Sequence, residues 1–253
     1  ESFSMDSTKI ENNNYVTERV DLTAAFRWAE RLNLHEAVAN HFSLSVDNEG
    51  SRFLINPNQM HFSRIRASDL LLLDANNPQT LQQTEAPDPT AWGLHGAIHR
   101  FCPHAKCVMH LHPTYATVLS TLMDSNLPPI DQTSAMFYNR VIIDTEYGGL
   151  AFESEGERCA TMFMDKKKFI MIMCNHGLLV IGETVSETFD RLFYFERAAQ
   201  TYILALQTGK PLRIMSDTIA ESVASEIENY PQKSKHLEEI KKVLDAEKSN
   251  YRD

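Results

Sequence analysis

No run of apolar residues in this sequence approaches the about eighteen needed to cross a bilayer, and the first residues carry neither a basic nor an apolar leader segment. Membrane insertion and secretion are therefore not expected, and the chain reads as soluble and cytoplasmic. Positive charge is the scarcer sign: 24 Lys and Arg against 34 Asp and Glu leave a formal charge of -10. Attraction to phosphate backbones needs clustered cations, so nucleic acid is not an expected partner. The one basic run, Lys166-Lys167-Lys168, lies beside a predicted strand and reads as a solvated turn. The four cysteines, Cys102, Cys107, Cys159 and Cys174, form no CxxC pair, and a chain of 253 residues needs no disulfide framework. They are expected to be reduced, most of them packing groups. No glycine-rich phosphate loop follows a strand, which removes dinucleotide and P-loop chemistry.

Repeats, low-complexity tracts and Pro/Gly/Ser-rich linkers are also lacking, and apolar periodicity runs from about Val20 to about Leu244. One domain over residues 17–253, closed by a helical C-terminal extension, is the simplest reading. Glu1-Ser2-Phe3-Ser4 ahead of Met5 reads as an extraneous remnant, and Asn12-Asn13-Asn14 extends a tail without order over residues 1–16.

What is present is an ordinary globular composition, 43% hydrophobic and 23% charged. Leu22, Phe26 and Ala29 form the stripe of a helix from about Thr17 to Asn33. Phe42 to Val46 and Phe53 to Ile55 read as strands joined by a hairpin turn at Asp47-Asn48-Glu49-Gly50, with another strand at Asp69 to Asp74. Asp88-Pro89 is a cap followed by a first-turn proline, opening a helix to about Phe101. Cys107, Val108 and Met109 form a strand that delivers His110. A helix from Thr114 to Met123, a strand from Val141 to Asp144, a helix from Ser154 to Met164 and a strand from Phe169 to Cys174 follow. Asn175-His176-Gly177 is a turn into a strand from Leu178 to Ile181, and Thr184-Val185-Ser186-Glu187 is a capping box for a long helix stopped by Gly209 and Pro211. The last amphipathic helix, with Leu237, Ile240, Val243 and Leu244, covers either its own domain or a neighbouring subunit. Short turns between several strands predict an α/β fold with a mixed or mostly antiparallel sheet rather than a doubly wound parallel one.

His110 and His112 stand two apart at a strand end, so both rings project from one face, while Leu111 turns toward the core. His176 follows another apolar strand, immediately before a glycine expected to let the chain reverse. Three neutral imidazoles with an open fourth position suit catalytic zinc; manganese, cobalt or iron also fit. The rival is His95-Gly96-Ala97-Ile98-His99, with both rings on one helical face. Gly96 stands where a zinc protease has its catalytic Glu, so His95 and His99 read as histidines packed beneath the sheet or as groups orienting a ligand. His35, His41, His61 and His104 read as surface or hydrogen-bonded histidines.

The segments Leu94-His95-Gly96-Ala97-Ile98-His99, Pro103 to His112, Asn175-His176-Gly177-Leu178 and Gly182-Glu183-Thr184-Val185 together resemble the class II aldolase/adducin head family, over about Val20 to Leu212. The resemblance implies a three-layer α/β/α domain around a mostly antiparallel sheet, a homotetramer, and zinc on the three histidines matching His110, His112 and His176. The family's phosphoaldolases carry a Ser-Ser-Glu-like triplet whose Glu moves the proton; here Pro89-Thr90-Ala91 precedes Trp92, so the usual acid/base position reads Ala91 and no catalytic residue is assigned. Their phosphate loop has Gly-Asn and Thr-Gly pairs where this chain has Ala39-Asn40 and Pro57-Asn58. Asn40-His41-Phe42-Ser43 and Met60-His61-Phe62-Ser63 instead resemble the adducin-like bacterial branch, which makes Asn40 and His41 candidate substrate-binding residues.

The resulting expectation is a metal-dependent aldolase or decarboxylase, cleaving a carbon–carbon bond in a small, oxygenated, non-phosphorylated substrate. A non-catalytic adducin-like binding domain and an iron-dependent oxygenase remain the alternatives.

Overall fold

The computed structural model describes residues 14–83, 86–149, 153–231 and 235–253. Of the tail expected over residues 1–16, residues 1–13 lie outside that set. In chain order the main elements are α1 (Val16–Arg31), β1 (His41–Ser45), β2 (Arg52–Ile55), β3 (Leu71–Asp74), α2 (Pro89–Phe101), β4 (Cys107–Leu111), α3 (Thr114–Ser120), α4 (Gln132–Ala135), β5 (Val141–Asp144), α5 (Glu153–Met162), β6 (Ile170–Met173), β7 (Gly177–Gly182), α6 (Val185–Gln207), α7 (Asp217–Glu228) and α8 (His236–Ala246). The strands form one sheet in the order β3-β2-β1-β4-β7-β6-β5, antiparallel throughout except for the β5/β6 pair. The mostly antiparallel α/β architecture expected from the short turns is the one observed. Among the described residues no helix is long and apolar enough to cross a membrane.

Strand β1 shows why the sheet has two covered faces. Phe42 stacks on Phe26 of α1 with ring centroids 4.6 Å apart, and Phe62 closes edge-on against Phe26 at 4.7 Å. The alternate residues His41 and Ser43 point the other way and bond to His95 and His99 of α2. Helices α1, α6 and α8 thus lie on the aromatic side, whereas α2, backed by α5, lies on the histidine side. Leu237, Ile240 and Leu244 of α8 are buried against α1 and α6, and Lys241 pairs with Asp21 at 2.8 Å, so this helix covers its own chain.

Several element ends differ from expectation for local reasons. The strand expected from Asp69 begins at Leu71, because residues Ala67–Asp69 form a 3-10 turn in which the Asp69 carboxylate accepts the Arg66 amide at 2.9 Å. Helix α3 stops at Ser120 instead of Met123, where the Ser120 and Thr121 hydroxyls turn back to the carbonyls of Thr117 and Val118, both at 2.6 Å. At α6 the Thr184 hydroxyl accepts the Glu187 amide at 3.1 Å, but Glu187 reaches the Glu183 amide rather than closing the box on Thr184. Helix α7 was not expected. Its buried side is only Ala220 and Ala224, too small a stripe to stand out in sequence, and Arg140, itself buried, ties it down through Glu221 at 2.8 Å and Glu228 at 2.8 Å.

Candidate metal centre

His110 is the last residue but one of the buried strand β4, opposite His41 on one neighbouring strand and Leu179 on the other. Its Nδ1 lies 3.0 Å from the Leu178 carbonyl, an acceptor only, so Nδ1 carries the proton and Nε2 is left with a lone pair. His112, just past the end of β4, donates from Nδ1 to Glu36 at 2.7 Å, which frees its Nε2 in the same way. The chain after His112 is held by Glu196 of α6, whose buried carboxylate accepts the amides of Tyr115 and Ala116 at 3.1 and 2.7 Å at the start of α3. Burial pushes that carboxyl up from its ordinary value, and the two amides pull it back.

His176 comes from the turn between β6 and β7. The left-handed residue of that turn is Asn175, with φ 61°, and not the glycine, as the sequence suggested. Gly177 is required by space instead: a Cβ there would stand 2.6 Å from Cδ2 of the His112 ring and 2.6 Å from the Leu111 carbonyl oxygen. The close approach of β7 to His112 is what brings the third ring in.

The three rings form a near-equilateral triangle, with centroids 5.0, 4.7 and 4.9 Å apart and interplanar angles of 78°, 69° and 64°. One ring nitrogen of each lies within 4.8 Å of the others. The Nε2 atoms of His110 and His112 are 3.2 Å apart, with both protons already committed on the Nδ1 side. Two facing lone pairs repel, and a cation between them removes the conflict. Tetrahedral zinc with ligands at ~2.0–2.1 Å sets its nitrogens roughly 3.3 Å apart, so the donor set fits that ion. Burial pushes His176 down to about 4 and holds His110 well below the ordinary histidine value, with neighbouring imidazoles adding to both shifts. Neutral rings are the form a metal needs.

On the same face of the sheet lies a second, wholly different histidine cluster. His95 and His99 are fully buried, and neither belongs to the metal triangle. His99 Nδ1 lies 2.9 Å from the Ala105 carbonyl and His99 Nε2 lies 2.7 Å from the Ser43 hydroxyl. That hydroxyl also bonds His95 Nδ1, and His95 Nε2 lies 2.6 Å from His41 Nδ1. His41 therefore connects this chain to the metal triangle, its ring centroid 5.0 Å from that of His110. Ser43 was not singled out in the sequence, although its two-residue spacing from His41 on a strand is the signal that places both on one face. His104 bonds the Phe163 carbonyl at 3.0 Å, and His35 lies 3.3 Å from His61, outside both clusters.

An open cleft of about 300 Å³ borders His41, His110 and His176 and is lined as well by Thr90 and Leu94 of α2 and by Tyr147. Tyr147, whose ring lies 5.7 Å from His176, carries no sequence signal that would have marked it. A smaller pocket next to it is lined by His41, Asn40, Asn56, Pro57, Asn58 and Ala91. Asn40 sits at φ 76°, accepts the Glu36 amide on its Oδ1 at 2.8 Å and bonds Asn56 through its carbonyl at 3.1 Å. Its buried Nδ2 has no partner among the described residues, an unspent donor at the pocket wall. Ala91 presents only a methyl group there.

Asp144, Glu155 and Cys159 form a second group with metal-binding spacing. Arg158 occupies it: its guanidinium holds both oxygens of Asp144 at 2.8 and 2.7 Å and reaches Glu155 as well. Burial pushes the Cys159 thiol up to about 12, so no thiolate is on offer.

Known proteins resemble this chain in sequence and fold. An aldolase II superfamily protein from Pseudomonas syringae superposes with a TM-score of 0.82 at 28% identity, covering 95% of this chain and 97% of that one. The decarboxylase NovR of Streptomyces niveus is 27% identical over 72% of this chain and 70% of its own length. A 4-hydroxy-3-prenylphenylpyruvate oxygenase/4-hydroxy-3-prenylbenzoate synthase of Streptomyces roseochromogenus is 27% identical over 76% of this chain and 71% of its own. Residues 20–203 match the family model described as Class II Aldolase and Adducin N-terminal domain, and the chain belongs to that family.

Proposed function

We propose that the protein is a metal-dependent lyase of aldolase or decarboxylase type that cleaves a carbon–carbon bond in a small, oxygenated, non-phosphorylated substrate. The observation that carries the reading is the convergence of three imidazoles, His110, His112 and His176, beside an accessible cleft that His110 and His176 line. Zinc is the proposed occupant, with manganese, cobalt and iron as chemically acceptable substitutes, and it would polarise a carbonyl or hydroxyl oxygen and stabilise the charge left by the breaking bond. Glu36 orients His112, and the Leu178 carbonyl orients His110, so the ligand edges are fixed before anything binds. The free Nδ2 of Asn40 is the proposed donor to a substrate oxygen. Pro57 has no amide hydrogen to give a phosphate, and Ala91 cannot move a proton. Both features support a substrate without a phosphate group, and the name of the NovR relative supports loss of CO2 as one form of the reaction.

The family resemblance extends the proposal to a homotetramer, and the composition of the chain to a cytoplasmic location. The test is metal analysis of the purified protein, followed by screening hydroxy acids and aromatic or sugar-derived carboxylates with zinc, manganese and iron for released aldehyde or CO2. A protein with full metal content and no turnover on any of them would be a binding domain. Iron oxygenase chemistry on the same three histidines is a second reading, favoured by the oxygenase named among the relatives. It requires oxygen uptake with iron loaded, which a lyase does not.

A further inference from the structure

We propose that His41 is a further functional residue of this site, a fixed hydrogen-bond acceptor for a hydroxyl-bearing ligand, and that His95, Ser43 and His99 are positioning residues that hold it so. The inference rests on the lyase reading only for the class of ligand.

The direction of every hydrogen bond in the buried chain follows from its far end. The Ala105 carbonyl can only accept, so His99 carries its proton on Nδ1. In a neutral ring His99 Nε2 must then accept, and the only hydrogen it can take is that of the Ser43 hydroxyl. With that hydrogen committed, the Ser43 oxygen must accept from His95, which puts the His95 proton on Nδ1. His95 Nε2 is left as an acceptor, and His41 Nδ1 donates to it. His41 therefore ends the chain with a lone pair on Nε2, which makes no hydrogen bond among the described residues, on a ring that borders the cleft shared with His110 and His176.

Running the chain in the opposite sense would require hydrogens on both nitrogens of His99, a cation with no carboxylate bonded to it in a fully buried position. Burial holds His99 at about 4, against smaller opposing pulls from the Ala105 carbonyl and then Asp47, so the charged alternative is not populated near neutrality. The anchor is itself clamped: Gly50, at φ 71°, sits so close to His99 that a Cβ there would stand 1.9 Å from the His99 carbonyl oxygen. A purely structural cluster needs no particular polarity at His41. This one has a single polarity, and it selects ligands that present a donor, such as a hydroxyl, over those that present only a bare carbonyl, carboxylate or phosphate oxygen.

Long-range proton–nitrogen correlation spectra of the 15N-labelled full chain read the tautomers directly, with and without zinc. All three rings, His41, His95 and His99, are expected with the proton on Nδ1; a His41 proton on Nε2 overturns the proposal. Binding is then compared for glycolohydroxamate and acetohydroxamate, which bring the same metal-binding group and differ by one hydroxyl. The zinc-loaded protein should bind the first about tenfold more tightly, and that ratio should fall to about one in His41→Phe. Ser43→Ala should give a mixed His41 tautomer and an intermediate ratio. An unchanged ratio in His41→Phe at normal zinc content overturns the acceptor role. Failure of the protein to hold zinc counts against the proposed metal centre instead, and the metal-free spectrum still decides the polarity of the chain.

Discussion

His110 on a strand with His112 just past its end, and His95 and His99 on a helix, are both pairs brought to one side by the run of an element, yet they end in opposite chemistry. The strand pair spends its protons outward, on the Leu178 carbonyl and on Glu36, and turns two lone pairs toward each other at 3.2 Å. The helix pair spends its protons in series, with the Ser43 hydroxyl between the rings. A hydroxyl can donate to one imidazole and accept from the other, so no charge is needed there. The strand pair has no such mediator, and a cation held between the rings resolves it. What separates the proposed metal pair from the hydrogen-bonded pair is therefore the direction of the other hydrogen bond on each ring, more than the spacing.

The sharpest way to break this comparison is to exchange a member of each cluster. His176→Ala should lower zinc affinity by more than about 100-fold, beyond the range of an outer partner, as should His110→Ala and His112→Ala. His99→Phe should keep its zinc while losing about 1–3 kcal/mol of folding stability as Ser43 is left without its partner. Metal analysis and denaturant unfolding on the same preparations read both, and full zinc occupancy in His176→Ala would sink the triangle.

Acid should test the buried neutral chain next. The unfolded chain takes up protons on histidine near 6.5, whereas folded His99 resists until about 4. The unfolded state thus binds more protons in that window, so stability is fully present above about 6.5 and is lost as the pH falls towards 4. The midpoint of denaturant unfolding of the metal-free protein should fall across this range, and less steeply in His99→Phe. A flat profile in both proteins would remove the buried neutral chain from the account.

A smaller effect belongs to Glu36, whose carboxylate is largely exposed. Glu36→Gln should weaken zinc binding by about tenfold, the low end for an outer partner, without moving the unfolding midpoint of the metal-free protein. Competition with a chromogenic chelator measures it. The smallest response is expected from Ala91→Glu. The new carboxylate enters the pocket beside Asn40 and Pro57, where phosphate-gripping features are missing, and no phosphoaldolase activity should appear on assay with a ketose 1-phosphate. A gain would mark the chain as an aldolase damaged at one position.

Much of this was legible in the sequence. The apolar runs before His110 and His176, the short turns and the two-residue spacing carried the sheet and the gathering of the three histidines, and the motif segments around them carried the family resemblance. The limits were physical. Gly177 looked like a turn residue because sequence cannot distinguish a glycine needed for its dihedral from one needed for clearance; Asn175 takes the left-handed conformation and Gly177 makes room for His112. His95 and His99 were placed beneath the sheet, but their connection to His41 depends on Ser43, a residue more than fifty positions away. Helix α7 offered only two alanines to a periodicity argument. Tyr147 faces His176 from a loop, where no period constrains the side chain.

The Arg158 guanidinium lodged among Asp144, Glu155 and Cys159 bears on stoichiometry. A tethered cation cannot be washed out, exchanged or chelated, so it acts as an irremovable occupant of what would otherwise be a competing sink. Titration with zinc should end at one ion per chain, and excess metal should leave the Cys159 thiol unclaimed.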